Sequence, residues 1–255
     1  MSDFNNKIAL IIGKSLSTME GVARELHAAG MEIILGHAPT DVDNVARSAA
    51  LLNARTVALS VDNPETLDAE IASVGQVDMV IIVPGWFKSV SFLDSTPADW
   101  DAALHDNFEQ STYAIRAAGK HLQTQGRGAI LIMSSVAALT SLVDLSVVST
   151  SLAALHVIAR LAAVELAPFG VTVNVVTMGW TPDEWASDYL NPAARPLIEH
   201  VIPMQRLGTF ADIAGVCRLL ASEEARYITG AVLSVDGGYG LMKASTPPPP
   251  RKVRR

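Results

Sequence analysis

Two serines close the apolar run Gly128-Ala129-Ile130-Leu131-Ile132-Met133-Ser134-Ser135, an asparagine sits in Asp106-Asn107-Phe108, and a histidine, His156, follows in the next long apolar segment. A hydroxyl, an amide and an imidazole are parts from which a carbonyl-orienting, proton-relaying site can be assembled. Such a site works only when an acid or base of suitable pKa lies within hydrogen-bond reach of the reacting group. The stretch between Ser135 and His156 includes Val148-Ser149-Thr150-Ser151-Leu152, which carries no titratable side chain. Without a neighbouring base, Ser135 is a poor nucleophile, and Ser135 and Asn107 read first as residues that satisfy local backbone groups. His156 lies one helical turn beyond Leu152 on the same face, where it reads as a packing or interface residue. Tyr189 and Trp185 fall in the segment after Met178-Gly179-Trp180-Thr181 and carry little weight. No His/Asp/Glu cluster has metal-ligand spacing, and the lone Cys217 excludes a Cys-based zinc site and an intrachain disulfide.

The elements that must position these residues alternate between short β-branched runs and Ala/Leu-rich amphipathic stretches. That is the pattern of βαβ units and of a parallel sheet covered by helices on both faces. Strands are expected at Ile8–Ile12, Glu32–Leu35, Thr56–Leu59, Met79–Val83, Ala129–Met133, Thr172–Val176 and Val232–Val235. Helices are expected over Met19–Ala29, Thr40–Leu52, Pro64–Val74, Pro97–Thr124, Val147–Ala167, Ala193–Val201 and Phe210–Ala221. Asn63-Pro64-Glu65 and Thr209-Phe210-Ala211-Asp212 are helix starts with an oxygen-bearing cap. The result is one α/β domain over 1–240, a doubly wound parallel sheet of seven strands, followed by a tail over 241–255 that ends Pro247-Pro248-Pro249-Pro250-Arg251-Lys252-Val253-Arg254-Arg255. The tail pairs a polyproline II stretch with a basic tip and has little to bury, so it reads as solvated.

Composition narrows the function classes. With 49% hydrophobic residues and a net charge of −7, the chain offers a sizeable core and no overall positive field for nucleic acid. Its N-terminus enters a strand without a signal-peptide core, and no apolar run approaches the roughly 18 residues of a membrane span. The expectation is a cytoplasmic protein bound to neither nucleic acid nor membrane.

The order of these segments, with Leu161-Ala162-Ala163-Val164-Glu165-Leu166 leading into Val171-Thr172-Val173-Asn174-Val175-Val176, resembles the short-chain dehydrogenase/reductase family over about residues 5–240. The resemblance implies a Rossmann-like fold. It also implies a catalytic Tyr-x-x-x-Lys, and counting forward from Ser135 and back from Glu165 places those positions at Val148 and Leu152. In the family the tyrosine moves the hydroxyl proton, the lysine lowers its pKa, and the serine and asparagine, here Ser135 and Asn107, complete the site. The glycine-rich nucleotide turn, Gly-x-x-x-Gly-x-Gly in the family, reads Gly13-Lys14-Ser15-Leu16-Ser17-Thr18-Met19. Only Gly13 matches; Ser17 is tolerable, and Met19 is expected to push the helix away or to occupy phosphate space. His37 stands at the position of the ribose-binding acid, Ile82-Val83-Pro84-Gly85 replaces an Asn-Asn-Ala-Gly motif, and Asp62 matches the adenine-edge carboxylate, although an aspartate there also suits a turn. Assembly motifs are kept, among them Tyr227-Ile228-Thr229-Gly230 and Val235-Asp236-Gly237-Gly238.

The resemblance therefore implies a catalytically silent subunit with no catalytic residue, cofactor or metal of its own. It would assemble with an active short-chain dehydrogenase paralogue into a mixed tetramer, and NAD or NADP would sit on the partner. A cofactor-independent lyase, cyclase or dehalogenase using the emptied cleft, and a homo-oligomeric ligand-binding protein, are the alternative expectations.

Overall fold

The computed structural model describes residues 4–182 and 193–241; Trp185, Tyr189 and the Pro-rich basic stretch lie outside the described residues. The chain alternates β1 (Ile8–Gly13), α1 (Leu16–Ala28), β2 (Glu32–His37), α2 (Val42–Leu52), β3 (Arg55–Ala58), α3 (Pro64–Ser73) and β4 (Met79–Val83). It continues with α4 (Pro97–Ala103), a π-helical segment (Leu104–Glu109), α5 (Gln110–Gln125), β5 (Gly128–Ser135), α6 (Ser146–Leu166) and β6 (Val171–Met178). The last elements are α7 (Arg195–Val201), α8 (Phe210–Leu220) and β7 (Val232–Val235).

The seven strands pair in parallel in the order β3-β2-β1-β4-β5-β6-β7. Alternation along each strand divides the core into two layers. Ala9 and Ile11 of β1 face α1, α2 and α8, through Val22, Leu26, Val45 and Ile213, while Leu10 and Ile12 face α3, α5 and α6, through Leu67, Ile71, Ile115 and Leu155. Strand β4 is buried at all its positions, as a central parallel strand covered on both faces must be. The winding reverses at β1, whose neighbours are β2 on one side and β4 on the other, so a crevice opens at the carboxyl ends of β1 and β4.

Helix starts follow local chemistry. The Asn63 side chain accepts from the Glu65 and Thr66 amides, and Thr209 with Asp212 forms a capping box to which Arg206 adds two hydrogen bonds, at 2.7 and 2.9 Å. Two expectations need correction. The stretch Pro97–Thr124 is not one uniform helix, because Leu104–Glu109 widens into a π-helix between α4 and α5. The expectation that no apolar run approaches membrane-span length also fails. Ser146–Phe169, with α6 at its heart, is long and apolar enough by length and composition, with mean hydropathy 1.8 over an 18-residue window. The physical reason is packing: Val148, Leu152, Leu155, Ala159 and Ala163 form a buried stripe, and Leu155, Ala159 and Ala163 join the core layer against the sheet.

Candidate functional site

At the mouth of the crevice, β1 runs into a turn pressed against β4. A Cβ on Gly13 would lie 2.1 Å from the Val83 carbonyl oxygen, and the Lys14 amide donates to that same oxygen at 3.2 Å. Gly13 is therefore required by strand-to-strand approach alone. Helix α1 begins at Leu16, and Met19 opens its inward stripe Met19, Val22, Ala23 and Leu26. Met19 is 2% exposed within the core layer beneath α1 and α8, and it does not line the cleft. The expectation that Met19 displaces the helix or fills phosphate space is overturned. The early helix start turns its side chain to the sheet. Ser17 lies half-buried in the first turn. Gly21 serves the same packing, since a Cβ there would meet the Phe210 ring at 2.2 Å.

The cleft is lined by Ile12, Leu59, Val61, Ile82 and Ala114 with His37, Gln110 and Ser111. His37 is buried, and its Nδ1 donates to the Ala38 carbonyl at 2.8 Å. Asp62 does not cap the following helix, a task that falls to Asn63. Its exposed carboxylate is held from across the cleft by His105 Nε2 at 3.1 Å and by the Gln110 amide. Lys14 Nζ reaches Asp106 Oδ1 at 2.8 Å. The free space enclosed is about 30 Å³, room for a water or two.

Further along, Val148 and Leu152 are 1% and 0% exposed on the inner face of α6. The Ser135 hydroxyl accepts from the Ala137 amide at 3.2 Å and so caps the turn after β5. Asn107 is fully buried in the π-helical segment. Its carbonyl accepts from the Trp86 amide at 2.9 Å, and its amide donates to the Trp86 carbonyl and to Ser151 Oγ, each at 3.0 Å. Both donors of the Asn107 amide and one of the two acceptor positions on its oxygen are thus spent on pinning the loop after β4 to α6. Ser134 Oγ and His156 Nε2 hydrogen bond at 2.8 Å, both buried. Burial, helped by Arg160, pushes the His156 pKa down to about 4, so the imidazole is neutral near pH 7. This is a hydroxyl beside an imidazole, yet at 1% and 4% exposure no substrate reaches it, and its effect is to tie β5 to α6. Among the described residues no group of three His, Cys, Asp or Glu could hold a metal ion. Burial raises the Cys217 thiol to about 12, which leaves it unreactive. Sequence reasoning missed Lys14, His105, Asp106 and Gln110, whose partners lie far away along the chain.

Compared with known proteins, residues 15–240 match the family profile described as Enoyl-(Acyl carrier protein) reductase. The chain belongs to the short-chain dehydrogenase/reductase family. Among its relatives in the family, the L-rhamnose 1-dehydrogenase (NAD(P)(+)) of Azotobacter vinelandii is 28% identical over 91% of this chain and 96% of its own length. Nodulation protein G of Rhizobium sp. strain N33 is 30% identical over 95% of this chain and all of its own. The solved structure of ElxO with NADP bound superposes with a TM-score of 0.83 at 25% identity, over 93% of this chain and all of that one. The doubly wound sheet deduced from hydropathy alternation is thus the family's own.

Proposed function

We propose that this chain is a catalytically silent short-chain dehydrogenase-like subunit of a hetero-oligomeric NAD(P)-dependent alcohol dehydrogenase or ketoreductase, with the chemistry carried out by a paralogous partner. The observation that carries the reading is the pair Val148 and Leu152. Buried aliphatic side chains stand where the family needs a phenol and an ammonium, and neither can move a proton or lower a pKa.

The residues around the cleft do not fit a dinucleotide. His37 offers an imidazole in place of a carboxylate for the ribose, Asp62 is already engaged by His105 and Gln110, and Lys14 spans the opening to Asp106. The names of relatives attach NAD(P) to the rhamnose dehydrogenase and NADP to ElxO. In this reading the corresponding nucleotide sits on the partner subunit. We infer further that the complex is of the kind of 2-[hydroxy(phenyl)methyl]succinyl-CoA dehydrogenase, whose inactive subunit this chain looks like, which would make the substrate of the complex a CoA thioester.

Support for assembly comes from the outer face of α6. Val157, Leu161 and Val164 are exposed at 47%, 55% and 74% and recur at helical spacing, continuing a wide groove lined by Phe92, Trp100, Leu139, Ala153 and Ala154. Native mass spectrometry of the complex purified through a tag on this chain, from its own host, is expected to show a mixed tetramer whose other subunit carries Tyr-x-x-x-Lys. Homo-oligomers alone would overturn the subunit reading.

Restoring the missing groups is expected to restore nothing. Val148→Tyr, alone or with Leu152→Lys, supplies the missing groups at positions buried on the inner face of α6 and leaves the cleft unfit for the hydride donor, so turnover of ketone or alcohol substrates should stay at background. Calorimetry of the unmodified chain should show no saturable binding of NAD, NADH or NADP. A micromolar dissociation constant, or turnover by either folded variant without a partner, would mean that the nucleotide site still works.

A further inference from the structure

Three separate stretches of chain meet over the cavity at the carboxyl ends of β1, β2 and β4. In a π-helix the i→i+5 bonding brings residues five apart onto one side, and within Leu104–Glu109 and the residue after it this places His105 beside Gln110, at 3.2 Å between their side-chain nitrogens. Both reach Asp62 in the β3–α3 turn, and Asp106 reaches Lys14 in the β1–α1 turn. The stem of Lys14 crosses the end of β4, where a Cβ on Gly85 would come within 2.2 Å of the Lys14 Cβ. On the inner side the same segment is anchored by Asn107 to Trp86 and Ser151. The segment is thus fixed along its buried side and tied on its wet side to two opposing turns, with the small cavity underneath.

We infer that the Lys14–Asp106 pair and the Asp62–His105–Gln110 cluster form a two-point clasp, which holds the π-helical segment as a roof over the cavity and governs access to it. This goes beyond the silent-subunit reading: it names what closes the cleft and holds whether or not a partner is present. Gln110 is buried, and the other clasp members are partly exposed. Lys14 and Asp106 retain 36% and 23% of their side-chain surface, and His105 and Asp62 retain 48% and 67%. Bonds of this kind shift an opening equilibrium by small factors and are weakened by salt, so the roof is releasable, whereas the buried Asn107 anchor is not. The walls that opening would expose are apolar, with the His37 Nε2 and the Ser111 hydroxyl as their polar groups.

Hydrogen exchange on the full chain tests the clasp, with Lys14→Met, which keeps the stem that covers Gly85, Asp62→Ala, and the double variant. Each single change is expected to speed amide exchange over residues 104–111 by about two- to fivefold, and the two factors should multiply in the double variant while β4 exchanges as before. Added sodium chloride at about 0.5 M should speed exchange over 104–111 in the unmodified chain and in Asp62→Ala, and much less in Lys14→Met. Wild-type exchange over 104–111 in the double variant would overturn the clasp, and so would an equal rise in β4, which would report general destabilisation. Titrating the double variant with NADH separates this inference from the previous one. Faster exchange without NADH binding supports both. Faster exchange with micromolar NADH binding supports the clasp and overturns the idea that the cleft is unfit for nucleotide.

Discussion

Replacing Ala154 by glutamate is expected to break the proposed mixed assembly apart while leaving the fold of the chain intact. Ala154 is half-buried on the outer face of α6, in the groove that also contains Phe92, Trp100 and Val157, and it takes no part in the core layer beneath the helix. In a lone chain the new carboxylate has solvent on its side. In an assembly that covers this groove it would be buried without a cation, a loss on the order of 3–5 kcal/mol at each contact. At a two-fold interface the same lesion is met twice. Far-ultraviolet circular dichroism should be unchanged, while native mass spectrometry at a fixed protein concentration should show the complex replaced by smaller species. The dehydrogenase activity of the proposed complex should fall with it, although Ala154 does not line the cleft. An Ala154→Glu chain that keeps the wild-type stoichiometry would place the contact surface elsewhere.

The fold was legible wherever one physical signal dominates. Met79–Val83 is an unbroken apolar run because both faces of β4 are covered, and its ends are visible as the points where the run stops. The caps at Asn63 and Thr209 were legible for the same reason, each being a local oxygen placed before orphaned amides. The π-helical turn was not legible. One residue of extra winding inside a long helix leaves hydropathy almost unchanged, and its effect is to swing His105, Asp106 and Gln110 toward turns that lie far away in sequence.

Met19 shows a second way of missing. The inference about its side chain rested on a helix expected to begin at Met19 itself. Starting at Leu16, α1 presents Met19 on the same stripe as Val22 and Leu26, and the bulk that was expected in the cleft becomes core. The site residues divide in the same manner. The expectation at Val148 and Leu152 rests on counting from two flanking motifs. The Ser134–His156 link and the Lys14–Asp106 pair depend on which faces come together, which spacing along the chain does not encode.

Acidification should reveal the Ser134–His156 link as a loss of stability confined to mildly acidic pH. With the folded-state pKa of His156 near 4 and an unfolded value near 6.5, the unfolded chain binds the proton more readily throughout that interval. Stability contributed by the neutral, buried imidazole is fully present above about pH 6.5, falls as the pH drops, and levels off below 4, where the folded histidine also takes up its proton. Over that span the loss amounts to about 3 kcal/mol, a large share of a typical domain's margin. The carboxylates of Asp68, Asp99 and Asp212 act in a different window. Hydrogen bonds from Lys120, Lys88 and Arg206, respectively, lead in holding their pKa values down, so their contributions are lost only as the pH falls below about 3.8. Urea unfolding midpoints measured at pH 7, 6, 5 and 4.5 and a fixed protein concentration should therefore fall steadily in the unmodified chain. In His156→Gln, which keeps a hydrogen-bonding group near Ser134 but cannot titrate, the same series should be nearly flat. Parallel slopes for the two proteins would show that the histidine is solvated or charged in the folded state, and that β5 and α6 are not joined through a neutral imidazole.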